Sequence, residues 1–326
     1  MSERYTVLWN IWMLIFAACI LAASPAINAQ SYPAKSVRVI VPFEAGGGSD
    51  IAARQITTRL SEDFKRPFLV ENRGGAGGLI GIEMAAKAPA DGYTLMIMSA
   101  SFSATSATNK PAFDPMNTII AVAEIGFTPF VLVTSPGLPA KSVAELIALA
   151  REKDGRLNYA SAGVGSNTHL SLELLANMAK IKMSHVPYKG AAPSLTDVMN
   201  GQIDVTLASY SSVESHIRNG RMRALAITSA RRVPSLPAMP VVAETLPGYE
   251  IDLWFGVMAP RGTPGSVVDQ LNASINKILQ SADARKSLEP LGIVPTGGTP
   301  QHFADRMRVD YERWLRVIRE SNIKTD

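Results

Sequence analysis

From residue 37 almost to the end of the chain, short apolar runs rich in β-branched residues alternate with helical patterns, and that alternation leaves few architectures open. It is the signature of βαβ units built around parallel sheets. Val37-Arg38-Val39-Ile40-Val41 reads as the first strand. After a glycine-rich loop comes a helix with Ile51, Ile56, Leu60 and Phe64 on one face. Phe68-Leu69-Val70 and Tyr93-Thr94-Leu95-Met96-Ile97-Met98 read as further strands, the second introduced by the turn pair Asp91-Gly92.

Two distant segments read alike: Pro129-Phe130-Val131-Leu132-Val133-Thr134-Ser135-Pro136-Gly137 and Trp254-Phe255-Gly256-Val257-Met258-Ala259-Pro260-Arg261-Gly262. Each is a strand stopped by a proline-glycine break, followed by a helix start. The first start is the capping box Ser142-x-x-Glu145; the second is Thr263 as cap with Pro264 in the first turn. We read them as two crossings between lobes, lobe 1 being 30–131 with 253–326 and lobe 2 being 132–252. The expected fold is therefore α/β and two-lobed, each lobe a mainly parallel sheet flanked by helices. A last helix, opened by Thr299-Pro300, carries Phe303, Met307, Tyr311, Trp314 and Ile318 as one burying stripe.

At the other end, Arg4 precedes an uncharged stretch from Tyr5 to Ala34 whose most apolar part is Ile11 to Ala23. A membrane span needs about 20 apolar residues, and this run breaks into Ser24-Pro25-Ala26-Ile27-Asn28-Ala29-Gln30, a small-residue cleavage region. The segment 1–29 is read as a secretory signal cut after Ala29, with the mature protein exported. Phe16-Ala17-Ala18-Cys19 is only a loose match to a lipidation box, since Ile20-Leu21-Ala22-Ala23 continues the apolar run beyond it. The mature chain then has no cysteine, which excludes disulfides and cysteine-zinc sites. At 297 residues it also lies at the top of the roughly 250–300-residue range in which single cores stop growing, so two lobes are expected. The formal charge of +4 and isoelectric point near 9.1 suggest nucleic acid. Charged residues make up only 18% of the chain, however, and no basic run with interleaved aromatics occurs.

Three places combine a strand, a tight loop of glycines and hydroxyl residues, and a helix: Pro42 to Asp50, Tyr159 to Leu170, and Val186 to Ser194. Unpaired N–H groups and the aligned peptide dipoles at such a helix start favour an anion without help from arginine. In open α/β sheets these loops gather at the carboxyl ends of the strands, where ligands sit. A single loop of this kind is an ordinary βα turn; three of them, drawn from both lobes, point to a binding site.

Other chemistries fit poorly. Gly163-x-Gly165 lacks the third glycine of a dinucleotide fingerprint because position 168 is Thr, and Lys189-Gly190 reverses the order a phosphate loop needs. Ser166 and His169 could meet at a helix start, yet there is no Gly-x-Ser-x-Gly elbow. His185, His216 and His302 stand apart, with no His-x-x-x-His pair, so no metal site, no cofactor and no catalytic residue is expected.

Taken in order, Val41-Pro42-Phe43, Gly46-Gly47 and Asp50, Asn72-Arg73-Gly74-Gly75-Ala76-Gly77-Gly78, Asp91-Gly92-Tyr93-Thr94-Leu95, Gly165-Ser166 with His169-Leu170, Pro187-Tyr188-Lys189-Gly190 and Ala224-Leu225-Ala226 resemble the Bug family. These TctC-like proteins are periplasmic solute receptors of tripartite tricarboxylate transporters, and the resemblance runs from Tyr32 to about Trp314. It implies a type II periplasmic-binding fold closing on a small organic acid, with no enzymatic activity. Binding positions carried over fall on Phe43, Gly47, Ser49 and Asp50, then on Ser161, Gly165, Ser166 and His169, and on Lys189 and Gly190. The partners it implies are the two integral-membrane subunits of the transporter, and the receptor is expected to be a monomer. Presentation of the ligand to a sensor kinase is the alternative, and an exported hydrolase using Ser166 and His169 a third. Two residues carry open readings: Asp50 caps the helix at Ile51 or meets ligand, or both, and Glu44, where relatives commonly have Ala or Pro, faces either the rim or the ligand.

Overall fold

The computed structural model describes residues 32–108, 114–233 and 236–321; the leader 1–29, its cleavage after Ala29 and Cys19 lie outside the described residues. Strand β1 (Val37–Val41) pairs in parallel with β2 (Phe68–Asn72) and β3 (Thr94–Ser99). All six residues of β3 are buried, as expected of a strand covered on both faces. Helix α1 (Gly48–Phe64) follows β1 and buries Ile56 and Leu60, and it ends where Lys65 turns left-handed. Helix α2 (Leu79–Ala86) lies between β2 and β3, and α3 (Ser101–Thr108) starts immediately after β3.

Beyond α4 (Pro115–Thr118), strand β4 (Ile119–Thr134) runs for 16 residues, far longer than the segment from Pro129 that the sequence marks. Its first part, Ile119 to Pro129, pairs antiparallel with β9 (Asp252–Pro260). Its last part, Phe130 to Thr134, pairs instead with β7 (Val205–Ser209) and β8 (Arg223–Ile227). The chain therefore crosses from one sheet region to the next within a single strand. Helix α5 (Val143–Lys153), β5 (Asn158–Ser161), α6 (Asn167–Ala179), β6 (Ser184–Pro187), α7 (Ala191–Met199) and α8 (Tyr210–Arg218) complete the second region, with β5 parallel to both β6 and β7. The chain returns through β9, then α9 (Gly265–Gln280), α10 (Ala282–Leu288), the short β10 (Val294–Pro295) and α11 (Pro300–Ser321).

The resulting strand order is β2-β1-β3-β9-β4-β7-β5-β6, with β8 and β10 also on β4. Within each lobe the sheet is mainly parallel, as expected, and every antiparallel pair is made by one of the two crossing strands, β4 or β9. The reason is topological: β4 leaves the first region and β9 returns to it, so neighbouring crossing strands must run in opposite directions.

Local capping signals divide into those that held and those that moved. Ser142 accepts the Glu145 N–H at 3.2 Å, although the Glu145 carboxylate reaches back to the Lys141 N–H rather than to that of Ser142. Thr299 accepts the His302 N–H at 3.1 Å with Pro300 opening α11. Thr263 does not cap: its hydroxyl donates to the Pro260 carbonyl, and α9 starts one residue later than read, at Gly265. Along α11, Phe303, Met307 and Trp314 are buried, and Phe303 meets Trp254 edge-on with ring centroids 5.1 Å apart.

Candidate functional site

Between the two sheet regions lies a cavity of about 40 Å³. One water needs roughly 10–15 Å³, so the space suits a compact occupant. Its border gathers the starting residues of several helices: Gly47, Gly48 and Ser49 at α1, Ser101 at α3, Thr168 at α6, Ala191 at α7 and Ser209 just before α8. Phe43, Phe130, Leu253 and Phe255 supply apolar walls, and Ser99 adds a further hydroxyl. Among the described residues, none that borders this cavity is ionisable. The first N–H groups of an α-helix have no partner within it, and each N-terminus carries about half a positive charge. Converging N-termini, hydroxyls and the absence of a charged wall give this cavity neutral donors of the kind that suit an anion.

The first loop is fixed by a carboxylate. Asp50 accepts the Gly46 N–H and the Arg54 Nε–H at 3.0 Å each, and the Asn72 side-chain amide at 3.1 Å. Asn72 also donates to the Phe43 carbonyl at 2.9 Å. Burial pushes the Asp50 carboxyl upward, but the hydrogen bonds from Arg54, Gly46 and Asn72 outweigh it and hold the group below its ordinary value. Asp50 thus braces the loop, and it is not among the residues bordering the cavity. Gly46 takes the positive φ of this loop, +85°, while Gly47 is extended at φ −80°.

The second loop is fixed without charge. Ser166 caps α6 by accepting the His169 N–H at 3.3 Å, and the Gly165 N–H donates to His169 Nδ1 at 3.2 Å. That bond places the ring hydrogen of neutral His169 on Nε2. His169 stacks on His185 with centroids 4.0 Å apart, and His185 stacks in turn on Tyr159. Burial depresses both histidines, His169 to about 3 with the neighbouring His185 contributing, and His185 to about 4. Ser161 Oγ lies 2.6 Å from His185 Nε2 and also accepts the Gly163 N–H at 3.1 Å. Because His169 Nδ1 is taken by Gly165, and Ser166 Oγ meets the Thr168 hydroxyl and the His169 N–H, not the imidazole, these two do not form a nucleophile and base.

Of the residues singled out from sequence, Phe43, Gly47 and Ser49 border the cavity, whereas Ser161, Gly165, Ser166 and His169 form the frame beneath Ala162 and Thr168, which do. Lys189 is exposed and sits with Glu44 on an outer groove shared with Tyr188 and Val164. Glu44 is likewise exposed, a rim residue. Gly190, at φ +155°, packs beside Glu44 and Phe43 across the opening. Ser99, Ser101 and Ser209 escaped the sequence reading because no glycine accompanies them. The signal they do share is a serine at a strand end that leads directly into a helix.

This architecture is that of a two-lobed periplasmic binding protein, and comparisons with known proteins specify it. Residues 52–323 match the tripartite tricarboxylate transporter family receptor, TctC. The chain belongs to that family. It is 36% identical over 314 residues to protein BugT of Bordetella pertussis (strain Tohama I), covering 95% of this chain and 96% of that one. Among solved structures, R. palustris Rpa4515 with adipate has 37% identity and a TM-score of 0.86, covering 90% of this chain and 99% of the other. MatC from Rhodopseudomonas palustris with bound malate has 31% identity and a TM-score of 0.84, covering 88% and 100% respectively. The fold is thus the periplasmic-binding fold of a solute-binding receptor family, and two of these solved relatives hold small carboxylates, adipate and malate.

Proposed function

We propose that this chain is an exported solute receptor that captures a small organic carboxylate between its lobes and delivers it to the membrane-embedded subunits of a tripartite tricarboxylate transporter, without chemical change. The observation that carries this reading is the convergence of helix N-termini on a cavity with no ionisable side chain at its border. In it, Phe43, Gly47 and Ser49 meet the ligand from the first lobe, with Ser99, Ser101, Thr168 and Ser209 as further donors. Ser161, Gly165, Ser166 and His169 hold the second loop in place, Asp50 holds the first, and Lys189 and Gly190 border the opening. The hinge falls near residues 131 and 253, where β4 changes sheets and β9 begins. Export rests on the leader 1–29, and the bound adipate and malate of the relatives support a dicarboxylate.

A thermal-stability screen of the mature protein against mono-, di- and tricarboxylates tests the reading. A ligand present at 100 times its Kd stabilises the fold by about 2.7 kcal/mol, and at least one acid is expected to do so. Stabilisation by no acid, or equal stabilisation by uncharged esters, contradicts it.

A further inference from the structure

The run Asn72-Arg73-Gly74-Gly75-Ala76-Gly77-Gly78 contributes no residue to the border of the inner cavity. Its glycines are nevertheless packed with unusual closeness against the other lobe. A Cβ on Gly77 would lie 2.2 Å from the Val164 carbonyl oxygen and 3.3 Å from the Ser166 nitrogen. A Cβ on Gly163, reached from the opposite side, would lie 2.7 Å from the Gly77 nitrogen. At Gly74 it would lie 2.6 Å from the Lys189 carbonyl oxygen. All these obstacles are backbone atoms, which cannot rotate away as a side-chain end can. The contact is backed from both sides: Thr105 donates to the Gly77 carbonyl at 2.7 Å, and the Asn167 N–H of α6 donates to Ser101 of α3 at 3.3 Å.

We infer that Gly74 and Gly77 are positioning residues for ligand capture: they let the backbone of the first lobe seat directly on Gly163, Val164 and Lys189 of the second, and this seam sets how firmly the closed receptor holds its ligand. The inference rests on the reading that ligand is bound between the lobes. When only the closed form holds ligand tightly, apparent affinity falls in proportion to the closed population. A change at the seam therefore alters affinity from outside the cavity, and chiefly through dissociation.

Gly74 gives the sharpest test, because it lacks the positive φ of Gly75, Gly77 and Gly78. Gly74→Ala adds a methyl group with no backbone strain of its own; besides the Lys189 carbonyl it would meet only the exposed Glu44 side chain, Oε1 at 3.0 Å, which can turn away into solvent, so its main cost is at the seam. Gly75→Ala is the contrast: Gly75 has φ +131°, and its Cβ would meet the Ile80 side chain of its own lobe. Calorimetric and stopped-flow titration with succinate, malate and adipate, beside urea unfolding of ligand-free protein, separates the two. Gly74→Ala is expected to raise Kd at least tenfold through faster dissociation, with an unfolding midpoint equal to wild type. Gly75→Ala is expected to lower the midpoint. Binding by Gly74→Ala within threefold of wild type overturns the inference. Hydrogen exchange on ligand-free protein provides an arm independent of any ligand, with faster exchange expected in Gly74→Ala at both 74–78 and 162–166. If wild type binds none of the three acids, the receptor reading for these ligands fails, and unchanged exchange in Gly74→Ala then overturns the seam by itself.

Discussion

The loops after β1 and β5 look alike in sequence, each a strand end, glycines, a hydroxyl residue and a helix start, yet they are held by opposite means. The first is braced by the ionised Asp50, tied to Arg54, Asn72 and the Gly46 N–H. The second is braced by neutral groups: two stacked imidazoles, the Ser166 cap and the Ser161 hydroxyl. The difference matters because neither brace places a side-chain charge at the cavity border, so both leave the ligand to helix N-termini. It also means that the two loops fail under different conditions.

Acid separates them most strongly. His169 and His185 are depressed in the folded protein, to about 3 and about 4, from an ordinary value of 6.5. Between those values the unfolded chain binds more protons than the folded one, so this stability is complete above pH 6.5 and is lost as pH falls toward 4 and below. Asp50, also lowered, holds its contribution at every pH above 3.8 and loses it only below. Hydrogen exchange corrected for intrinsic rates should therefore show residues 161–169 loosening between pH 6 and 4 while residues 43–50 stay protected. Simultaneous loosening of both would break the comparison.

Asp50→Ala comes next in size. It removes three hydrogen bonds from a buried carboxylate and leaves the Gly46 N–H without its partner, which should cost about 1–3 kcal/mol of stability in urea unfolding. Because the loop presents Gly47 and Ser49 to the cavity, ligand affinity should fall by more than tenfold as well. An affinity change with no stability loss would mean that Asp50 touches ligand after all.

Gly47 sharpens the account further. The sequence left two reasons for a glycine here, positive φ or close approach of ligand. At φ −80°, with the nearest obstacle to a Cβ the Glu44 carbonyl oxygen at 3.8 Å, the first reason is removed. Gly47→Val should leave the unfolding midpoint of ligand-free protein within about 0.5 kcal/mol of wild type. Binding should be lost in titration, because Gly47 borders the cavity. Smallest of all is Glu44→Ala: an exposed rim carboxylate should change dicarboxylate affinity by less than tenfold, a ceiling of about 1.4 kcal/mol.

What the sequence made legible was local. Thr299-Pro300, the Ser142 cap and the α11 stripe depend on neighbours within one or two turns, and the structure places them as read. The glycine loops were visible because glycine takes a positive φ such as that of Gly46 with the least strain. Ser99, Ser101 and Ser209 were not visible, since a serine at the end of a buried strand looks like any other small polar residue until the sheet brings the ends of β3 and β7 together. Nor did the antiparallel centre show itself. The pairing of Ile119 with Pro260 joins residues far apart in the chain, and Glu124 and Gly126 interrupt the apolar run that would have marked β4. The stacking of His169 on His185, hidden for the same reason, converts two isolated histidines into one brace.

The central claim is that the ligand's charge is held by backbone and hydroxyl donors and by no cationic side chain. Calorimetric titration of wild type and Lys189→Ala with the best-binding dicarboxylate and with its isosteric diamide tests this directly. The account predicts that the acid binds both proteins within threefold of each other and at least 100-fold more tightly than the diamide, a difference of about 2.7 kcal/mol. Equal binding of acid and diamide, or loss of acid binding in Lys189→Ala, would contradict it.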